Sequence, residues 1–365
     1  MKNIKEIENR CRRAIQEGIF PGVALGIAVG KRGGRKERIL FQGTTRYEEG
    51  EPIDSSTLFD LASLTKPLAT TLLILTLVEE KRIGVDDSLS RFFKEVPADK
   101  GGITLRNLLA HNSGLAAHQP YYQRLNDLPR AERKGELLRT ILAETLRYRI
   151  GSTAVYSDLG FLLLGMVVEE VTGQGLDILF RERIANPLGI EESLFYNHTA
   201  APRPGSYAAT EFCPWRGRVL RGEVSDENCF ALGGVAGHAG LFGTLGATLT
   251  LVTAIHDLWL GETSPLAIGP SALQEFLTRQ PVPDSTWALG FDTPSASGST
   301  SGRFFSPTSA GHLGFTGTSF WIDPSQHVVV VLLSNRVHPS RENSGIKTFR
   351  PAIHDAVMEA MGLAA

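Results

Sequence analysis

Cysteine is scarce in this chain, with only Cys11, Cys213 and Cys229 among 365 residues. That is too few, and the spacing too irregular, for a disulfide framework or a zinc site. Cys213 and Cys229 pair only if the fold brings them together. Charge of one sign is also lacking: 37 Lys and Arg stand against 39 Asp and Glu, a formal net charge of -2, which gives no general attraction to nucleic acid or anionic membrane. The densest basic groups, Arg10 with Arg12 and Arg13 and the stretch from Lys31 to Lys36, read as solvated surface. No apolar run approaches the length of a membrane-spanning helix. The N-terminus from Met1 to Phe20 is charged and amphipathic through Ile4, Ile7, Cys11 and Ile15, without the apolar stretch of a signal peptide, so a cytoplasmic location is the expectation. Internal repeats and low-complexity segments are absent as well.

What is present is a hydrophobic content of 42%, enough in a chain of this length for one large domain or two intimately packed ones. After a first helix, residues 23–29 and 38–43 read as two strands joined by the Gly/Lys/Arg turn at 30–36. The middle then becomes mainly helical: residues 68–80, 105–110, 132–146, 159–172, 175–184 and 248–258 have helical spacing or length, separated by Pro, Gly and Asn. From Trp287 the character returns to strand, at 288–291, 319–323 and 328–333, the last apolar enough to be buried on both faces. A helix over 345–361 ends the pattern. Strands near both ends with a helical middle predict an α+β architecture. One antiparallel sheet is assembled from distant segments (about 1–60 and 285–365) and carries an inserted helical region (about 61–284). The cleft between the two is the expected place for a site, with residues 201–235 and 292–310 as long loops over it.

Three short motifs carry chemistry. Ser63-Leu64-Thr65-Lys66 stands where Leu58-Phe59-Asp60-Leu61-Ala62 runs into the apolar stretch from Leu68 to Val78. Residues three apart on a helix share a face, so the Lys66 amine can reach the Ser63 hydroxyl, a weak nucleophile until a neighbour takes its proton. The helix N-terminus adds N–H groups suited to an oxyanion. A plain alternative is a Ser N-cap with a solvated lysine one turn on. The spacing recurs as Ser344-Gly345-Ile346-Lys347, which follows a polar turn, opens no comparable apolar helix and reads as a surface helix start.

Tyr156-Ser157-Asp158 leads into the apolar run Leu159 to Gly165, on a turn entering a helix. Either Tyr156 caps local structure with Asp158 as an N-cap, or Tyr156 is a proton shuttle whose phenol is partly ionised by a nearby ammonium. Gly311-His312-Leu313-Gly314-Phe315-Thr316-Gly317-Thr318 precedes an apolar strand. Its glycines allow close backbone approach and an N–H facing an oxyanion, and His312 either donates to a substrate carbonyl or carboxylate or fills an edge position. His111, His238 and Asp226 match no zinc spacing and suit loop-shaping roles, so neither a metal nor a cofactor is expected.

Taken in order, Ser63-x-x-Lys66, Tyr156-x-Asp158 and His312-x-Gly314 resemble the signature elements of the serine β-lactamase and penicillin-binding protein superfamily. The closest likeness is to the class C β-lactamase-related branch, which also holds esterases, D-aminopeptidases and transacylases. Leu108 to Leu115 and Gly233 to Leu241 resemble two further segments of that branch, and the likeness runs from Pro21 to Asn335. It implies a β-lactamase/transpeptidase-like fold, an acyl-enzyme on Ser63, acid–base work shared by Lys66 and Tyr156, and an oxyanion held between the Ser63 and Phe315 N–H groups. Two departures bear on substrate. His312 stands where the branch's β-lactamases have a lysine that helps hold the antibiotic's carboxylate, which favours esters or amides lacking that group. Asp158 stands where asparagine is usual, and its charge should keep Lys66 protonated and shift the base role toward Tyr156. The expected partner is a small ester, amide or lactam. A true β-lactamase or D-Ala-D-Ala peptidase and a non-catalytic ligand-binding descendant are the alternatives.

Overall fold

The computed structural model describes residues 4–364. Its centre is a five-stranded antiparallel sheet made of β1 (Gly22–Val29), β2 (Lys36–Gly43), β3 (Ala310–Leu313), β4 (Ser319–Asp323) and β5 (Val328–Ser334). The spatial order is β2-β1-β5-β4-β3, so the two ends of the chain meet in the middle of the sheet, with Val23 opposite Ser334 and Val29 opposite Val328. Alternation along β1 explains the layering. Val23, Leu25 and Ile27 pack with Val330 and Leu332 against the N-terminal helix Ile4–Gln16 and the C-terminal helix Ile346–Met361. Ala24 and Ala28, with Val329, Val331 and Leu333, belong to the larger core that contains the helix Leu245–Trp259 and the rest of the helical region. β5 is buried over its whole length, as its uninterrupted apolar run implies.

The third strand region differs from the sequence reading. Residues 288–291 are not a strand but a tight turn, bracketed by a bridge between Trp287 and Asp292. Gly290 takes φ +82 there, and a Cβ on it would lie 2.1 Å from Thr71 Oγ1. The apolar character of this stretch reflects burial of a turn against the helical run that begins at Ala62. The edge strand is instead β3, inside which His312 falls; its small residues, Ala310 and Gly311, give a weak strand signal.

The segments expected as loops also hold structure. Residues 201–235 contain the hairpin Phe212–Cys213 with Arg218–Val219 and the short helix Glu227–Ala231. A helix at Pro270–Leu277 was not foreseen. All three cysteines are free and buried, so Cys213 and Cys229 do not pair. Ala62–Glu79 is a continuous helical run of 18 residues with mean hydropathy 1.2, long and apolar enough to cross a membrane, contrary to the sequence reading. Here 83% of it is buried inside the protein. It is the helix that carries the candidate nucleophile into the core.

Candidate active site

The serine turn is fixed by polar contacts from three directions. Ser63 lies in the one-turn helix Ala62–Leu64, directly after the two-residue strand Phe59–Asp60. Ala62 adopts φ 47, a left-handed conformation that costs an alanine energy unless its surroundings impose it. The Asp60 carboxylate supplies part of that constraint, accepting from Ala62 N–H at 2.8 Å and from Ser225 N–H at 2.6 Å. Burial pushes the Asp60 carboxyl up to about 7, while these two N–H donors pull the other way. Thr316 Oγ1 donates to the Asp60 carbonyl at 2.7 Å and Thr318 Oγ1 to the Leu61 carbonyl at 3.1 Å. The residues following β3 are thereby pinned to the serine turn.

Gly314 sits in that seam. A Cβ there would lie 1.9 Å from Thr318 Oγ1 and 2.8 Å from the Leu61 carbonyl oxygen, so no side chain fits without moving the nucleophile. Gly314→Ala is expected to cost about 1–3 kcal/mol of stability, the usual penalty for overpacking. Denaturant unfolding checks this, and an unshifted midpoint refutes it.

Beyond Ser63 the chain enters a π-helical turn, Lys66–Thr71, with Pro67 in its first turn, before the α-helix Leu72–Glu79. Wide turns of this kind recur at functional sites. The Lys66 side chain is fully buried, 0% exposed, which removes the solvated-lysine alternative. Its ammonium has three protons and three acceptors: Ser63 Oγ at 3.0 Å, Asp158 Oδ1 at 2.7 Å and the His238 carbonyl at 3.2 Å. Burial alone would favour the neutral amine, but the Asp158 carboxylate more than reverses this and holds Lys66 above its ordinary range. Asp158 is held well below the usual carboxylate range: burial acts against its charge, and the Lys66 ammonium outweighs it. Keeping an ion pair in the core requires this degree of mutual satisfaction.

Tyr156 lies on the extended segment before the helix Asp158–Thr172, whose N-cap is Ser157. Lys66 Nζ stands 4.8 Å from the centre of its ring, which stacks on Trp287 at 5.3 Å and tilts against His111 at 4.7 Å. Burial pushes the phenol above its usual range, although Lys66 pulls it down. The expectation of a partly ionised phenol is therefore corrected: desolvation outweighs the ammonium, and in the resting site both Lys66 and Tyr156 carry their protons.

His312 is also corrected. It is buried, and burial, followed by the Lys66 charge, pushes it down to about 3, so it is neutral throughout the neutral range. Its Nδ1 is 2.8 Å from the Leu313 carbonyl and must donate to it. That leaves Nε2 as an acceptor without a proton, so His312 has none to offer a substrate carbonyl or carboxylate. Phe315 is half-exposed at the cleft, and among the described residues its N–H makes no backbone hydrogen bond. It remains open as an oxyanion donor.

Two pockets meet at Ser63, Tyr156 and Phe315. One, of about 310 Å³, adds His118, Asp158, Asp226, His238 and Arg341. The other, of about 330 Å³, adds Trp287, His312, Arg336, Lys347 and Arg350. Lys347, which the sequence reading placed on a plain surface helix, thus lines the wall beside the nucleophile. His118 was missed because nothing around it in the sequence marks it; it meets Asp158 Oδ2 at 3.3 Å, a contact that raises the imidazole above its ordinary range. His238 and Asp226 are paired at 2.8 Å. His111 is elsewhere, accepting the Ser157 N–H at 3.1 Å behind Tyr156.

A buried lysine on a serine, a phenol beside both, and an open N–H at a cleft between sheet and helices make this cleft the candidate active site. The chain belongs to the Beta-lactamase family, whose family model matches residues 8–351, and is a serine hydrolase of that family. It is 34% identical over 320 residues to an Escherichia coli (strain K12) protein provisionally named a D-alanyl-D-alanine carboxypeptidase, covering 82% of this chain and 73% of that protein. It is 30% identical over 369 residues to the N-acetylmuramyl-L-alanine amidase of Bacillus subtilis (strain 168), covering 92% and 82% respectively. In structure it is similar to EstCE1, a hydrolase with promiscuous acyltransferase activity, at a TM-score of 0.74 and 23% identity over 97% of each chain. The octameric penicillin-binding protein homologue from Pyrococcus abyssi gives a TM-score of 0.75 at 19% identity, over 99% of this chain and 78% of that one. These two likenesses bear on the fold.

Proposed function

We propose that this protein hydrolyses carboxylic esters or amides through an acyl-enzyme on Ser63. The observation that carries this reading is the fully buried Lys66, whose Nζ lies 3.0 Å from Ser63 Oγ at the floor of an open cleft. In the reaction Ser63 Oγ bonds to the substrate carbonyl carbon and gives its proton to the Lys66–Tyr156 pair. The carbonyl electron pair moves onto oxygen between the Ser63 and Phe315 N–H groups. Collapse expels the alcohol or amine, which takes that proton, and water releases the acid by the same steps. Because Lys66 and Tyr156 both rest protonated, one of them must first shed a proton toward solvent.

The neutral, inward-turned His312 supports substrates other than β-lactams, since it brings no fixed positive charge to the strand. A second reading rests on a specific observation. Arg336, Lys347 and Arg350 line the pocket on the His312 side, and Lys347 makes no ion pair among the described residues. They supply from the C-terminal helix and the turn before it the charge that β3 lacks, which fits an amide whose leaving group bears a carboxylate. The names of the Escherichia coli and Bacillus subtilis relatives, both amide-cleaving, agree with it.

The test sets p-nitrophenyl acetate and butyrate beside nitrocefin and an N-acylated D-Ala-D-Ala peptide, with a fluorophosphonate label followed by peptide mass mapping. Ester turnover with the label on the peptide containing Ser63 is expected. Additional peptide cleavage selects the second reading, nitrocefin turnover moves the protein to β-lactamase, and no label with no turnover refutes the proposal.

A further inference from the structure

The pocket wall opposite the cationic side holds three donors, none of which makes or breaks a bond to the substrate in the proposed reaction. His118, Asp158 and Asp226 each offer one ligand atom, and these atoms all lie within 4.8 Å of one another. They come from three separate segments. His118 follows the helix Leu105–Leu109, Asp158 begins the helix Asp158–Thr172, and Asp226 is the N-cap of Glu227–Ala231. All three face the pocket that Ser63 lines.

The two carboxylates are each clamped from behind. Lys66 holds Asp158 by Oδ1, and the Cys229 N–H and His238 Nε2 hold Asp226 by Oδ1 at 2.7 and 2.8 Å. Asp158 Oδ2 is turned toward His118 Nδ1 at 3.3 Å, and no protein donor among the described residues engages Asp226 Oδ2. Buried donors that fix one oxygen and leave the other free are what orients carboxylate ligands around an ion. His238, whose side chain is 1% exposed, keeps its Nδ1 without a partner behind Asp226.

We propose that His118, Asp158 and Asp226 form a site for a single Zn²⁺-type ion at the mouth of the Ser63 cleft, and that its occupancy closes the cleft to substrate. One imidazole nitrogen and two carboxylate oxygens are a donor set of intermediate softness, suited to zinc and poor for magnesium, which asks for six oxygens. At metal–ligand bonds of about 2.0–2.2 Å, tetrahedral ligand atoms stand about 3.3 Å apart. His118 and Asp158 already have that separation. The three ligand atoms lie within 4.8 Å of one another, and the His118 side chain, 46% exposed at the rim, has room to adjust. Three protein ligands leave the fourth position open to the cleft. Charge agrees: with Lys66 offsetting Asp158 and Arg341 beside Glu227 at 2.8 Å, Asp226 is the carboxylate without a fixed cation.

The experiment uses full-length protein stripped with chelator, titrated calorimetrically with ZnCl₂ and, as a control, MgCl₂, in parallel with p-nitrophenyl acetate turnover. Wild type, His118→Ala and Asp226→Asn are compared, each first shown to be folded by circular dichroism. Asn retains the helix cap at 226, so that variant keeps the test open should loss of His118 disturb the loop. The expected result is one Zn²⁺ per chain in the wild type, with affinity at least about tenfold weaker in each variant. Wild-type turnover should fall at the same Zn²⁺ concentration and return with EDTA. No saturable binding, or equal affinity in all three proteins (an adventitious ion only), overturns the proposal, as does binding that leaves turnover unchanged. The calorimetric arm does not depend on the ester reading, so a protein with no esterase activity is still decided by it.

Discussion

Ser63→Ala is expected to abolish ester turnover, lowering kcat/KM by about 10⁴-fold or more, while the protein stays folded. Removing the nucleophile from a serine acyl-transfer site typically costs this much, because the remaining groups act only in concert with it. What survives is the contribution of binding and of the oxyanion N–H groups. The fold is kept because the Lys66 ammonium keeps Asp158 Oδ1 and the His238 carbonyl when Ser63 Oγ is gone. Losing one of three acceptors on a charged donor costs about 1–3 kcal/mol at most. The check is a paired measurement of p-nitrophenyl ester kinetics and denaturant unfolding. A variant that unfolds at the wild-type midpoint yet retains turnover would show that the nucleophile is another residue.

How much of this was legible in the sequence depended on whether a residue acts through its neighbours in the chain. Ser63 and Lys66 are one turn apart on an apolar helix, so spacing alone placed them in contact. β1 and β5 were legible because each has a continuous apolar pattern. Where the partner is remote, the sequence was silent or misleading. His118 lies 40 residues from Asp158, and Lys347 reaches the cleft only because the C-terminal helix packs on one face of the sheet. The reading of Tyr156 as a partly ionised shuttle fails for a related reason. Proximity to a lysine is visible in a motif, whereas the burial that outweighs it comes from Trp287 and His111, supplied by other segments. The edge strand β3 was displaced to 288–291 because periodicity registers apolar burial and does not distinguish a buried turn from a strand.

Lys66→Met is expected to abolish turnover and also to destabilise the protein, by about 3–5 kcal/mol, the range for removing one partner of a buried ion pair. Methionine fills much of the space of the lysine stem, so packing is largely conserved, and the penalty arises from Asp158. That carboxylate has a side chain 17% exposed and, among the described residues, would keep only His118, at 3.3 Å, as a side-chain partner. The double variant Lys66→Met/Asp158→Asn separates the two effects. Neutralising Asp158 removes the uncompensated charge and should restore the larger part of the lost stability, whereas turnover stays absent because Tyr156, protonated at rest, is left beside Ser63 Oγ without the Lys66 amine. Urea unfolding of wild type, both single variants and the double variant gives the coupling energy directly. Additive single-variant losses would mean that the ion pair is not what holds the helix of Ser63 against the helix of Asp158. Recovery of turnover in the double variant would mean that Tyr156 alone suffices to activate the serine.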